Sequence, residues 1–203
     1  MTDRISLIHV FIDHSNMWGG ARLASRICDP KVPEESARLS VRVLDGILGG
    51  RRQGMSAKVV SGGVPPGMEG LWTEYQNFRY DTQRLFRDEH WRERGVDHSI
   101  IGHMWRLTTL HQGSPIVLVL ASGDGKKNEF GTSFYEVLEE VITQDKYMAW
   151  KVELASFDWR YPQDGHLRPP TNGKMRRLVE NSPRGKFINL MDHYKRLVYH
   201  ETT

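Results

Sequence analysis

The sequence predicts an α/β fold, a Rossmann-like three-layer sandwich with a mostly parallel central sheet. Short apolar segments alternate with longer segments of helical periodicity along the 203-residue chain, and this order is typical of strands joined by right-handed helical crossovers. The strongest strand signals are Leu7–Ile12 and Ile116–Leu120, because uninterrupted apolar strands belong to sheets buried on both faces. The clearest amphipathic helix carries Phe134, Val137 and Val141 on one face.

The remaining elements of the first half follow from apolar spacing and from Gly and Pro positions. Pro33 and two following glutamates predict the start of a helix that ends at Gly49. Three more elements are predicted before residue 90: a strand at Ala57–Ser61, a helix with Leu71, Trp72, Tyr75 and Phe78 on one face, and a strand at Tyr80–Phe86.

The second half repeats the alternation of helices and strands. A helix is predicted from Asp97, and a second one is predicted after Ser133, which is expected to form a capping box with Glu136. The later elements are predicted as a strand at Trp150–Phe157, a loop at Pro162–Gly173, a strand at Phe187–Leu190 and a final helix at Asp192–Tyr199. Residues 1–203 are expected to form one domain, with a basic C-terminal extension from about residue 158.

Composition excludes several classes of protein. The chain is 38% hydrophobic and 26% charged, which argues against wholesale disorder. No apolar run is long enough to cross a bilayer, so no membrane partner is expected, and Ile5–Ile12 is interpreted as a strand that ends at Asp13 rather than a signal peptide. With Cys28 as its one cysteine, the chain has no intrachain disulfide and no cysteine zinc site. A reducing, intracellular location is expected, in the cytoplasm or nucleus.

Positive charge is concentrated near the C-terminus. Residues 151–203 hold 10 Lys and Arg against 6 Asp and Glu, whereas residues 1–150 hold 18 against 19. A basic segment fits a polyanionic partner, although an ordinary solvated surface explains the charge equally well. If the partner is a polyanion, a basic set is predicted to line a path for it towards the acidic residues: Arg168, Lys174, Arg176, Arg177, Arg184 and Lys186.

Three aspartates occupy positions that a parallel sheet would bring together. Asp13 ends the first strand, Asp124 follows the strand Ile116–Leu120, and Asp97 lies at a helix start. Each has a simpler explanation as a turn or helix-capping residue. Together, however, clustered carboxylates repel one another and require a proton or a cation. Oxygen ligands without cysteine favour Mg²⁺ or Mn²⁺.

Four segments resemble one known family. Val10-Phe11-Ile12-Asp13-His14-Ser15-Asn16 resembles the opening strand of NYN domains, which belong to the PIN-like nuclease superfamily. Gly95-Val96-Asp97, Val119–Gly125 and Lys151–Ser156 resemble later segments of that family, in the same order. The resemblance extends over roughly residues 7–157.

The resemblance implies a metal-dependent endoribonuclease that cuts RNA, or a relative that has lost activity and serves as an RNA-binding or protein-interaction module or a homodimer. By this resemblance Asp13, Asp97 and Asp124 are the catalytic and metal-binding acids. Two positions depart from the family: Gly102-His103 and Lys126 stand where further aspartates are usual. Glu129 is the candidate replacement metal ligand. The candidate substrate-binding residues are Asn16, Ser122, Lys126, Lys127, Arg176 and Arg177.

Two other features have both a structural and a functional interpretation. His14 follows Asp13 and is either a proton shuttle or a structural residue. Trp18 and Trp105 are interpreted as packing residues rather than platforms on which bases stack.

Overall fold

The protein forms a six-stranded parallel sheet with helices on both faces, which confirms the predicted α/β three-layer class. The computed structural model describes residues 6–49, 52, 54–63, 69–85, 95–111, 113–123, 132–157, 161–163, 166–168 and 173–201. The central strands are β1 (Leu7–Asp13), β3 (Met55–Gly63), β4 (Asp81–Leu85), β5 (Ile116–Ala121), β6 (Trp150–Ser156) and β9 (Gly185–Asn189). Their order in the sheet is β4-β3-β1-β5-β6-β9.

Seven helices lie among the described residues: α1 (His14–Cys28), α2 (Val41–Leu48), α3 (Glu69–Asn77), α4 (Val96–Leu110), α5 (Phe134–Thr143), α6 (Gly173–Glu180) and α7 (Tyr194–Leu197). One face of the sheet packs against α1, α2, α3 and α7, and the opposite face packs against α4, α5 and α6. Alternate residues of β1 therefore enter different cores: Val10 and Ile12 lie in the first, and Phe11 lies in the second.

Two small ribbons accompany the main sheet. Strand β2 (Ala37–Leu39) pairs antiparallel with β10 (Val198–His200), and β7 (Tyr161–Gln163) pairs antiparallel with β8 (His166–Arg168). Within the described ranges, no helix combines the length and apolar character that crossing a bilayer requires.

The helix predicted from Pro33 is wrong at its start. Residues Glu34–Ser36 form a short 3₁₀ turn, β2 follows, and the helix begins only at Val41. The side chain of Ser40 accepts a hydrogen bond from the Val43 amide and so caps the helix one residue earlier. The acidic pair after Pro33 instead binds α1, through Arg22–Glu34 and Arg22–Glu35 ion pairs.

Two C-terminal predictions are also wrong in part. The predicted loop Pro162–Gly173 contains β8, and its partner β7 overlaps the loop's first residues. The predicted final helix Asp192–Tyr199 is divided between a 3₁₀ turn, the four-residue helix α7 and strand β10. The pairing of Val198 with Leu39 draws the chain into an extended conformation after α7.

Helix α1 was not predicted. Its buried positions include Met17, Ala21 and Ala24, which give little hydrophobic contrast in the sequence, and two glycines precede Ala21. Gly20 is required by packing: a Cβ added there would lie 2.7 Å from the Phe157 ring. Close approach of α1 to the chain beyond β6 therefore explains a glycine inside this helix.

Candidate acidic site at the carboxyl edge of the sheet

Asp13 is the last residue of β1 and the N-cap of α1, and its side chain is only 2% exposed. Its Oδ1 accepts a 3.0 Å hydrogen bond from the backbone amide of Asn16. Its Oδ2 accepts a 3.2 Å hydrogen bond from the hydroxyl of Ser122, which directly follows β5. Because β1 and β5 are parallel neighbours, their ends meet at one edge of the sheet, called here the carboxyl edge.

Glycine at position 123 allows Asn16 to approach the same edge. A Cβ added to Gly123 would stand 2.8 Å from the Asn16 Oδ1 and 3.5 Å from the Ser156 Oγ. The Asn16 amide therefore lies beside the backbone after β5, between the ends of three strands. Of the predicted substrate-binding residues, Asn16 and Ser122 thus lie at the site with Asp13.

Burial is the main cause of the raised pKa of the Asp13 carboxyl group. It raises the pKa of this carboxyl to about 7, and the nearby negative charge of Asp97 adds to the increase. The hydrogen bonds from Asn16 and Ser122 oppose it, because they favour the ionised form. Perturbed carboxyl groups of this kind are concentrated at functional sites, although structural networks also produce them.

Asp97 lies in the first turn of α4, where its negative charge interacts favourably with the positive end of the helix dipole. It does not cap the helix, because that position belongs to Gly95 in the left-handed conformation at φ 83°. Its negative charge contributes to the raised pKa of Asp13. Of the three predicted acids, Asp13 and Asp97 therefore interact electrostatically.

Four predicted site residues lie outside the described residues: Asp124, Lys126, Lys127 and Glu129. The described chain reaches Gly123, the residue before Asp124. Among the residues that the structure describes, no group of three or more His, Cys, Asp or Glu side chains is arranged to hold a metal ion. The described part of the site thus consists of the Asp13 and Asp97 carboxylates, with the polar side chains of Asn16 and Ser122 beside Asp13.

The structure favours the structural alternative for His14. Its ring is 2% exposed and packs edge-on against Trp72 and Tyr75. Its Nδ1 lies 3.1 Å from the Tyr75 hydroxyl. Burial lowers the pKa of His14 to about 4, so the ring is neutral at pH 7. A proton shuttle at neutral pH would need a pKa closer to that pH.

The basic residues near the C-terminus differ in their contacts and exposure. Arg176 donates a 3.0 Å hydrogen bond to Glu180, and its guanidinium lies 4.6 Å from the centre of the Phe187 ring. Arg177 is exposed on α6. The prediction that Arg184 lines a path to the acidic site is wrong, since it precedes the first residue of β9 and donates to the carbonyls of Ile142 and Tyr147.

The Gly102-His103 departure from the family pattern lies on α4, five and six residues beyond Asp97. Gly102 is exposed, and an added Cβ would meet no atom within 4 Å. The His103 Nε2 lies 3.3 Å from the Gln83 Nε2 on β4. His103 therefore contacts the neighbouring strand.

Sequence reasoning assigned no role to Gly123 and Ser156. Both lie at strand ends on the carboxyl edge, and Ser156 is buried. Two signals could have identified them: their positions at the ends of apolar strands, and their place inside Val119–Gly125 and Lys151–Ser156, the segments that resemble NYN domains. Comparisons with protein-family models, with curated proteins and with solved structures give no match to this chain.

Proposed function

We propose that this protein is a metal-dependent endoribonuclease whose acidic site is built on Asp13 and Asp97, with Asp124 as the third carboxylate. The observation that carries the proposal is the burial of Asp13 beside the charge of Asp97. A buried carboxylate next to a second one is costly unless a proton or a cation compensates it. A divalent cation is the compensating charge that would also give the site a chemical use.

The donor set fits Mg²⁺ or Mn²⁺, because both prefer carboxylate oxygens and need no sulfur or imidazole ligand. Asp13 and Asp97 would hold the ion, with Asp124 and Glu129 as further ligands. Such an ion, when bound, lowers the pKa of an attacking water and stabilises charge on a phosphodiester. The backbone amide of Asn16 and the hydroxyl of Ser122 fix the orientation of the Asp13 carboxylate. Hydrogen bonds from outside the metal's own ligands commonly orient metal ligands in this way.

RNA is the proposed substrate because of the resemblance to NYN domains and the basic C-terminal quarter. Asn16, Lys126 and Lys127, with Arg176 and Arg177, are proposed to contact it. Binding that depends on these cations would weaken steeply with added salt. The exposed free thiol of Cys28 is consistent with a reducing intracellular location.

The second candidate function is a module that binds RNA or protein without cleaving. It is favoured by Lys126, which stands at the position of a family aspartate. In this case the carboxylate pair would persist without a catalytic ion, with Asp13 protonated over part of the neutral pH range.

One experiment separates the two functions. Cleavage of end-labelled single-stranded RNA is measured with Mg²⁺, Mn²⁺, Ca²⁺ or chelator for wild type, Asp13→Asn and Asp97→Asn. The nuclease proposal expects Mn²⁺- or Mg²⁺-dependent cleavage in wild type and its loss in both variants, with RNA binding retained. Asp145→Asn, at an exposed aspartate, is the matched control and should cleave like wild type. Equal background cleavage by all four proteins would support the binding module.

A further inference from the structure

A cavity of about 270 Å³ opens beside the start of α1. It lies between α1, α3 and the β2–β10 ribbon, and its lining includes His14, Trp18, Gly70, Glu74 and Tyr199. This volume lies just below the range of about 300–1,000 Å³ of pockets for drug-sized ligands. An occupant the size of a single heteroaromatic ring system is therefore expected.

The aromatic lining suits a flat ligand. Tyr199 is 47% exposed and lies on β10 opposite Arg38 of β2, so that backbone pairing fixes the start of its side chain. Trp18 is a packing wall: its Nε1 donates to the Ala37 carbonyl at 3.3 Å, and the Arg22 guanidinium lies 5.3 Å from the ring centre. The exposed ring of Tyr199 is thus the surface available for stacking.

The polar lining disfavours a phosphate and suits groups that donate hydrogen bonds. Glu74 and Glu201 line the cavity with one cation, Arg38, which forms a 2.9 Å ion pair with Glu201. The His14 ring also lines it, and its buried Nε2 has no hydrogen-bond partner among the described residues. The Glu74 carboxylate can accept hydrogen bonds from a ligand in the cavity.

We propose that this cavity, called here the His14 cavity, binds one unstacked guanine base of an RNA strand. Guanine is flat, and its ring N–H and amino group lie along one edge, where they can donate to the two oxygens of the Glu74 carboxylate. The base stacks on Tyr199, and its phosphate stays outside the acidic lining. His14 immediately follows Asp13 in the chain, so the attached phosphodiester remains near the carboxyl edge.

The inference rests on the proposed function, because a base held beside Asp13 would determine which phosphodiester reaches the acidic site. Its test, however, needs no cleavage. Guanosine, which lacks a phosphate, is titrated into the full chain in the presence of chelator, and the Kd is measured by calorimetry. Uridine, which lacks an amino group, is the comparison ligand and should bind at least about tenfold more weakly.

Two variants probe the cavity without altering its buried residues. A Cβ added to Gly70 would meet no atom within 4 Å, so Gly70→Leu places its side chain in the space that the cavity borders and should abolish guanosine binding. Gly102→Leu, at an equally open helical position on α4, is the matched control and should bind like wild type. Tyr199→Ala should weaken binding by at least about tenfold through loss of stacking.

The outcomes distinguish this inference from the proposed function. Absence of guanosine binding, or binding unaffected by both Gly70→Leu and Tyr199→Ala, would overturn the inference even if Mn²⁺-dependent cleavage is observed. Guanosine binding that both variants reduce would support the inference, and if cleavage is then absent, only the nuclease proposal fails. Cleavage that occurs preferentially next to guanine, with the preference lost in Gly70→Leu, would support both.

Discussion

The Ser122 hydroxyl donates a 3.2 Å hydrogen bond to the Asp13 carboxylate, joining the ends of two neighbouring strands across 109 positions of sequence. The backbone amide of Asn16 donates to the other carboxylate oxygen, and the Asn16 side chain also hydrogen-bonds this carboxylate. These bonds fix the orientation of the Asp13 carboxylate, and the expected behaviour of Ser122 variants follows from it.

We predict that Ser122→Ala weakens Mn²⁺ binding and Mn²⁺-dependent cleavage by about 10- to 100-fold, as loss of an orienting hydrogen bond to a metal ligand commonly does. Mn²⁺ affinity is measured by electron paramagnetic resonance, and cleavage is measured on labelled RNA. Ser56→Ala, at an exposed serine of β3, is the control and should match wild type in both assays. Unchanged Mn²⁺ affinity in Ser122→Ala would remove Ser122 from the site.

Asp13→Asn is expected to stabilise the metal-free protein at pH 8. The pKa of Asp13 is raised to about 7, above its ordinary 3.8, so the folded state binds more protons than the unfolded state between these values. The free energy of unfolding therefore falls as the pH rises through this window, by up to about 4 kcal/mol at ~1.4 kcal/mol per pKa unit. Asn retains capping ability without the charge.

The measurement for Asp13→Asn is urea unfolding in chelator at pH 5 and pH 8. The variant should exceed wild type in free energy of unfolding by more at pH 8 than at pH 5, because the wild-type carboxylate is ionised at pH 8. Addition of Mn²⁺ should raise the stability of wild type and leave the variant nearly unchanged. A variant that is less stable than wild type at pH 8 would show that the ionised carboxylate is already compensated in the folded chain.

The strands and their end residues were predictable because their signal is local. An uninterrupted apolar run followed by a polar residue identifies both the buried strands and the carboxyl edge, which places Asp13 beside β5 once the sheet is parallel. Ser133 and Glu136 form the predicted capping box, with both reciprocal hydrogen bonds present. Here the sequence signal and the structural interaction lie within four residues of each other.

The features that sequence reasoning missed depend on distant partners. Strand β10 forms because Val198 meets Leu39 on β2, and the helical spacing of Asp192–Tyr199 contains no trace of that pairing. Helix α1 approaches the chain through Gly20 and Phe157, which are far apart in sequence. The burial of Asp13, on which the proposed function rests, likewise results from packing among several elements.

Gly185→Ala is expected to destabilise the protein by about 1–3 kcal/mol, the usual cost of overpacking. A Cβ at Gly185 would overlap the backbone carbonyl of Val179, the neighbour that moves least easily. Gly102→Ala is the opposite control, because it adds a Cβ to open space inside α4 and should stabilise by about 0.5–1 kcal/mol. Urea unfolding gives both values, and equal stabilities would contradict the close packing of α6 against the start of β9.

His9 on β1 is expected to limit the stability of the protein in acid. The His9 ring is buried with its centre 5.8 Å from that of His111, and burial followed by the charge of His111 lowers its pKa to about 4. Because this pKa lies below the ordinary 6.5, the unfolded state binds more protons, and the free energy of unfolding falls as the pH drops from 6.5 to 4, by about 3 kcal/mol.

His9→Leu should remove this loss of stability. The free energy of unfolding of the variant, relative to that of wild type, should therefore rise steadily as the pH is lowered from 6.5 to 4. Urea unfolding at half-unit pH steps measures the difference, and Ile8→Val, at the adjacent apolar position, should give a curve parallel to wild type. If the curves for His9→Leu and wild type are parallel as well, the His9 ring is not held neutral by the fold.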